Sequence, residues 1–162
     1  MTEKKKMITW DKKSFWVNGS RIWLHSGAIH YFRHPHELWE ETLLRARRAG
    51  YNTVETYVAW NFHEPVEGQY DFTGDRDLGR FLDLAHQLRM YAIVRPGPFI
   101  CSEWDAGAFP AWLQGKPGID EGPYRWLRDP NPVILDCLDR WFDRLLPILA
   151  ARQITRNGPV LL

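Results

Sequence analysis

Between residues 101 and 104 the chain sets a thiol, a hydroxyl, a carboxylate and an indole side by side: Cys101, Ser102, Glu103 and Trp104. They follow the apolar run YAIV (91–94) and a Pro-Gly-Pro at 96–98 that halts regular structure. Two earlier β-rich runs also end in polar and aromatic groups. His30 and Arg33 follow GAI, and Tyr57, Asn61, His63 and Glu64 follow NTVE. Carboxylates accept from neighbouring hydroxyls, a phenol and an amide both donate and accept, and flat indoles cover apolar C–H faces. Such a set suits a polyol ligand. Each residue also has a plainer role: Glu64, before Pro65, can tie down its own loop, and His30 reads as a satisfied strand-end histidine rather than a ligand or base. Trp60, Trp104 and Trp112 lie in loops after strands, where core packing and a ligand-facing rim are both open to them. Cys101 reads as a small buried residue whose backbone matters, with nucleophilic thiol chemistry as the rival.

The elements that must position these groups follow from periodicity. Residues 8–24 contain short β-rich runs, with Asn18-Gly19 as a hairpin turn signal, and predict one or two antiparallel hairpins. Strands are then expected at 27–32, 52–60 and 91–95, and NGPVLL (157–162) begins a fourth. Between them, a helix opens at Pro35 and runs through Ala49, with Leu38, Trp39, Leu43 and Ala46 on its apolar face and Gly50 as its stop. A second helix, capped by Asp75, carries Leu78, Phe81, Leu82, Ala85 and Leu88. A short helix is expected at FPAWL (109–113). A long one starts at Asn131-Pro132, carries Leu138, Trp141, Phe142, Leu145 and Leu149 inward, and is kinked by Pro147. This βαβαβαβ alternation predicts a parallel sheet covered by helices. No GxGxxG follows any strand, which argues against a dinucleotide-binding sheet. Chemistry at every strand exit argues for a (β/α)8 barrel, whose sites lie at that end. Since such barrels take about 250 residues, the expectation is the first half of one, about strands 1–4, over 25–162, after a tail and hairpin at 1–24.

Composition limits the partners. A formal net charge of +1, with 25% charged residues, provides no electrostatic case for nucleic acid or an anionic membrane. The lysines at 4–6 and RARR at 45–48 read as a terminal tail and a solvated helix face. The start MTEKKKMITW lacks the apolar stretch of a signal peptide, and no apolar run is long enough to span a bilayer. The two cysteines, Cys101 and Cys137, suggest neither a disulfide framework nor a zinc site. A cytoplasmic setting is expected. His34-Pro-His36 has metal-ligand types, but Pro35 keeps the two histidines off one strand face, so neither metal nor cofactor is expected.

Four runs carry a resemblance: SGAIHYFR (26–33), NTVETYVAWNFHEP (52–65), GQYDF (68–72) and RPGPFICSEWDAGAFPAWL (95–113). In order and spacing they are similar to the family 35 glycoside hydrolases, mostly β-galactosidases. Ala59 stands where the family often has proline, and Ser102 where alanine is common. The resemblance implies a (β/α)8 barrel that hydrolyses terminal non-reducing β-galactosyl residues with retention. It assigns Tyr57 and Glu103 to hydrogen bonds with the sugar, and Cys101 and Ser102 to main-chain contacts with it. Retention requires an acid/base and a nucleophilic carboxylate about 5–5.5 Å apart. The family carries the first just past the fourth strand and the second after the seventh, so neither is expected in these residues. The chain alone is therefore expected to be inactive. A galactoside-binding module without catalysis, or a related β-glycosidase of other sugar specificity, are the alternatives.

Overall fold

The computed structural model describes residues 8–119 and 131–161. Three short strands, β1 (Ile8–Trp10), β2 (Phe15–Val17) and β3 (Ser20–Ile22), form an antiparallel meander. Its second turn is Asn18-Gly19, at φ 51° and 78°. Both central residues thus occupy the left-handed region that a two-residue hairpin turn requires, and that asparagine and glycine tolerate best. The meander carries Ile8, Val17 and Ile22 on one face, where they pack with Ile154, Leu161 and Tyr91.

The second sheet holds the site. Strands β4 (Ser26–Ala28), β5 (Thr53–Tyr57) and β6 (Tyr91–Arg95) pair in parallel in that order. Its register sets Ala28 beside Glu55 beside Ile93, and Tyr57 beside Arg95. Side chains alternate across a strand. Val54, Thr56, Ala92 and Val94 are buried, whereas Glu55, Tyr57, Ile93 and Arg95 on the other face stay partly or fully accessible. Where NGPVLL is expected to begin a fourth strand, the described residues hold a single parallel bridge, Val160 with Ala92, flanked by hydrogen bonds of 2.8 and 2.9 Å. Leu162 and the lysines at 4–6 lie outside the described residues.

The crossovers contain α1 (Trp39–Arg48), the single turn α2 (Trp60–His63), α3 (Leu78–Gln87) and α4 (Pro132–Ala150). Trp39 of α1 meets Phe81 of α3 edge-on at 5.6 Å, and Trp141 of α4 stacks on Trp60 at 6.0 Å. All four rings are buried in one core.

Several boundaries differ from expectation. The strand predicted over 27–32 ends at Ala28, and Tyr31–Arg33 is a 3-10 turn that sends Tyr31 and Phe32 into the core. The helix expected from Pro35 starts with a 3-10 turn, His36–Leu38, and Leu38 is exposed. Asp77, not Asp75, caps α3, accepting from Arg80 N–H at 2.8 Å. Asp75 instead accepts from both the backbone and the ring of His36, which holds its carboxyl below the usual range. FPAWL becomes a 3-10 helix over Ala111–Gly115, and α4 runs through Pro147 to Ala150.

Candidate active site

Tyr57 and Arg95 are the last residues of neighbouring parallel strands, so backbone register alone sets their side chains at the same height. Arg95 Nη1 donates to Tyr57 Oη at 2.5 Å, and its guanidinium sits 4.4 Å from the ring centre. Glu55 Oε1 lies 4.0 Å from the same nitrogen. Because Tyr57 Oη accepts from Arg95, its own hydrogen is free to point at a ligand oxygen. The His30 ring lies 4.7 Å from the Tyr57 ring, and its Nδ1 accepts from Tyr57 N–H at 3.4 Å. Burial, then the nearby Arg33 charge, lowers the His30 pKa.

Beyond β6 the chain takes a conformation that the sequence does not announce. Cys101, Ser102 and Glu103 all have positive φ, at 58°, 53° and 47°. Trp104 N–H closes the turn onto Cys101 C=O at 3.1 Å. The Arg33 guanidinium donates to Ser102 C=O. Asn61 of α2 accepts from Trp104 Nε1 at 2.8 Å and donates to Asp105 C=O at 3.2 Å. The Trp104 ring packs edge-on against Phe32 at 4.7 Å. Among the described residues no hydrogen bond or ion pair engages the Glu103 carboxylate, which is exposed. The N–H groups of residues 101–103 are likewise unengaged there, whereas the carbonyls of Cys101 and Ser102 are taken.

The structure thus brings Tyr57 and the run 101–103 to the same end of adjacent strands, linked through the 30–33 segment. No hydrogen bond or ion pair joins Tyr57 to Glu103 among the described residues. Cys101 is exposed, contrary to the buried role expected of it, and opens the left-handed run. His63 and Glu64 do not face the site. His63 is fully buried, with Nδ1 2.8 Å from Asp71 C=O and Nε2 2.5 Å from Tyr31 Oη. A carbonyl only accepts, so Nδ1 carries the proton and Nε2 accepts from the phenol. Burial brings the His63 pKa down to about 4 and pushes the Tyr31 hydroxyl well up. Glu64 binds Trp60 Nε1 at 2.6 Å and Gly68 N–H at 2.8 Å, the loop-tying role open to it. Trp60 is core, and Trp112 donates to Glu64 C=O. Arg95 and Phe32 are absent from the residues that spacing singles out. The one available signal for Arg95 was a charge ending an otherwise apolar strand.

The metal-ligand types at 34–36 also resolve. His36, Glu37 and Asp75 have donor atoms within 4.8 Å of one another. The ring nitrogens of His36 face the two carboxylates, at 2.8 Å from Asp75 and 3.4 Å from Glu37. These contacts tie the segment after β4 to the turn before α3.

The model of glycosyl hydrolases family 35 matches residues 14–162. The chain belongs to this family. Family 35 is a (β/α)8-barrel family, in keeping with the parallel sheet and crossovers above. Among its curated relatives, mouse beta-galactosidase is 42% identical over 161 residues, covering 99% of this chain and 24% of the mouse protein. Human beta-galactosidase is 43% identical over 154 residues, covering 95% of this chain and 22% of the human one. The human beta-galactosidase-1-like protein 2 is 40% identical over 148 residues, covering 91% and 22%. The chain therefore spans about a quarter of the length of these relatives. In fold it is similar to an exo-β-1,4-mannosidase from Opitutaceae bacterium strain TAV5, with a TM-score of 0.59 and 21% identity over 92% of this chain and 25% of that one. A GH5_18 enzyme from Streptomyces cattleya, in complex with GlcNAc, has a TM-score of 0.60 at 15% identity, covering 85% and 32%.

Proposed function

We propose that residues 25–162 are the first half of a family 35 catalytic barrel, with β4, β5, β6 and the strand opening at Val160 as its strands 1–4. In the full-length protein this barrel hydrolyses terminal non-reducing β-D-galactose residues with retention. Tyr57, Cys101, Ser102 and Glu103 form one wall of the galactose pocket. The acid/base and nucleophilic carboxylates come from other parts of the full-length chain. Within this wall Glu103 accepts from the sugar hydroxyls, and Tyr57 donates the hydrogen that Arg95 leaves free. The main-chain contacts of 101 and 102 run through their N–H groups, since their carbonyls are occupied. The observation that carries the reading is an exposed carboxylate with no partner of its own among the described residues, held at the exit of a parallel strand. A carboxylate in that state is ready to accept from a polyol without first breaking an internal bond.

The test is Glu103→Gln in the full-length protein carrying this chain, assayed on p-nitrophenyl β-galactoside. Charge-assisted hydrogen bonds contribute about 1.5–3 kcal/mol, so kcat/KM should fall at least ten-fold, with KM raised and kcat lowered. Unchanged kinetics would remove Glu103 from the pocket.

A further inference from the structure

We propose that Arg33 and Asn61 are positioning residues that hold residues 101–103 in the left-handed conformation from which Glu103 is presented. The inference rests on the galactose-pocket reading for its consequence in catalysis, though not for its geometry. Three consecutive residues with side chains at positive φ are unusual. Each such residue is disfavoured about five- to thirty-fold relative to its right-handed form. A run of three persists only where its surroundings over-determine it.

Two other strand exits supply that restraint. Arg33, in the turn after β4, grips the carbonyl at the middle of the run. Asn61, on α2 after β5, holds the two residues that follow the run with both halves of its amide: the oxygen takes Trp104 Nε1, and the nitrogen gives to Asp105 C=O. An aspartate of the same shape can accept but not donate, so Asn61→Asp breaks one bond and sets a charge against a carbonyl. Arg33 adds a second contact, its guanidinium 5.7 Å from the Trp104 ring. Among the described residues no hydrogen bond or ion pair aims the Glu103 carboxylate directly. Its direction is inherited from the backbone, and the backbone from Arg33 and Asn61.

The discriminating experiment uses glycine, which occupies positive φ without penalty. In the full-length protein, Arg33→Gln and Asn61→Asp are each made alone and combined with Ser102→Gly. On p-nitrophenyl β-galactoside, Arg33→Gln should raise KM about five- to thirty-fold with a smaller change in kcat. The Ser102→Gly background should shrink that loss several-fold, because the run then needs less restraint. An equal loss in the serine and glycine backgrounds would overturn the proposal, since a residue that merely touches sugar gains nothing from glycine at 102. A second readout needs no sugar. Cys101 is exposed and opens the run, so its labelling by a maleimide, followed on the Cys101 peptide by mass spectrometry, should speed up several-fold in both variants. If the wild-type protein leaves the galactoside intact, the galactosidase reading fails. The labelling arm then decides the clamp alone, and unchanged rates in both variants refute it.

Discussion

Tyr31 and His63 form a buried pair in which every hydrogen has one place to go. Tyr31 O–H donates to Nε2, Nδ1–H donates to the Asp71 carbonyl, and neither ring reaches water. The folded state therefore holds His63 neutral, with its pKa brought to about 4 by burial. In the unfolded chain the same ring titrates near its ordinary value, about 6.5. As pH falls from about 6.5 towards 4, the unfolded chain takes up a proton that the folded one refuses, so this residue's contribution to stability is lost across that window. The full difference is on the order of 3 kcal/mol. His63→Gln should lower stability at pH 7 but flatten its slope between pH 6.5 and 4, measured by urea denaturation of both proteins across that range. A slope as steep as wild type would mean that other groups carry the acid response.

At the scale of elements, the segment after β6 depends on Gly107. A Cβ added there would lie 2.1 Å from Phe99 Cε2, and its φ of 61° disfavours any side chain. The same residue bonds Ile100 N–H through its carbonyl and Trp104 C=O through its N–H, so it fastens both ends of the loop that bears Glu103. Gly107→Ala should destabilise by about 1–3 kcal/mol through overcrowding, plus about 1–2 kcal/mol for a side chain at left-handed φ. Removing the ring with Phe99→Ala should return the first part and leave the second. If the double variant is no more stable than Gly107→Ala alone, the crowding account is wrong. Much of this element was out of reach of pattern reading. Pro-Gly-Pro announces an interruption, but left-handed φ at Cys101, Ser102 and Glu103 has no local sequence signature, because it is imposed by Arg33 and Asn61 from other strand exits. The helices were more legible. The Leu78, Phe81, Leu82, Ala85 stripe states its own period, whereas the cap lies two residues past the expected one because Asp75 and Asp77 look alike until His36 claims Asp75.

For the molecule as a whole, the second sheet leaves much of one face uncovered. Glu55, Tyr57, Ile93 and Arg95 alternate with a buried set on the helix-covered side, and β4 pairs only with β5 among the described residues. In the proposed barrel that face turns inward and the free edge of β4 meets a later strand. An unpaired parallel edge beside a partly apolar face invites pairing with another chain. Purified alone, the 162-residue chain should self-associate, read by size-exclusion chromatography with light scattering. It should also release no p-nitrophenol from the galactoside. A monodisperse monomer with turnover would overturn the half-barrel reading.

The division of labour between sequence and fold is sharpest at the strand exits. The sequence by itself determined where the main strands and helices lie, though not where they end, since periodicity, caps and the Asn18-Gly19 turn act over a few residues. It also determined the family, through motifs whose order and spacing survive in one dimension. Which polar residues face the open end and which are consumed inside was decided only in three dimensions. His63, Glu64 and Trp60 look as eligible as Tyr57 and Glu103 in the sequence. They differ because the core closes over them and supplies Tyr31, Asp71 and Gly68 as partners. A buried polar group must find its hydrogen bonds nearby or not be buried at all, and only packing determines who is near.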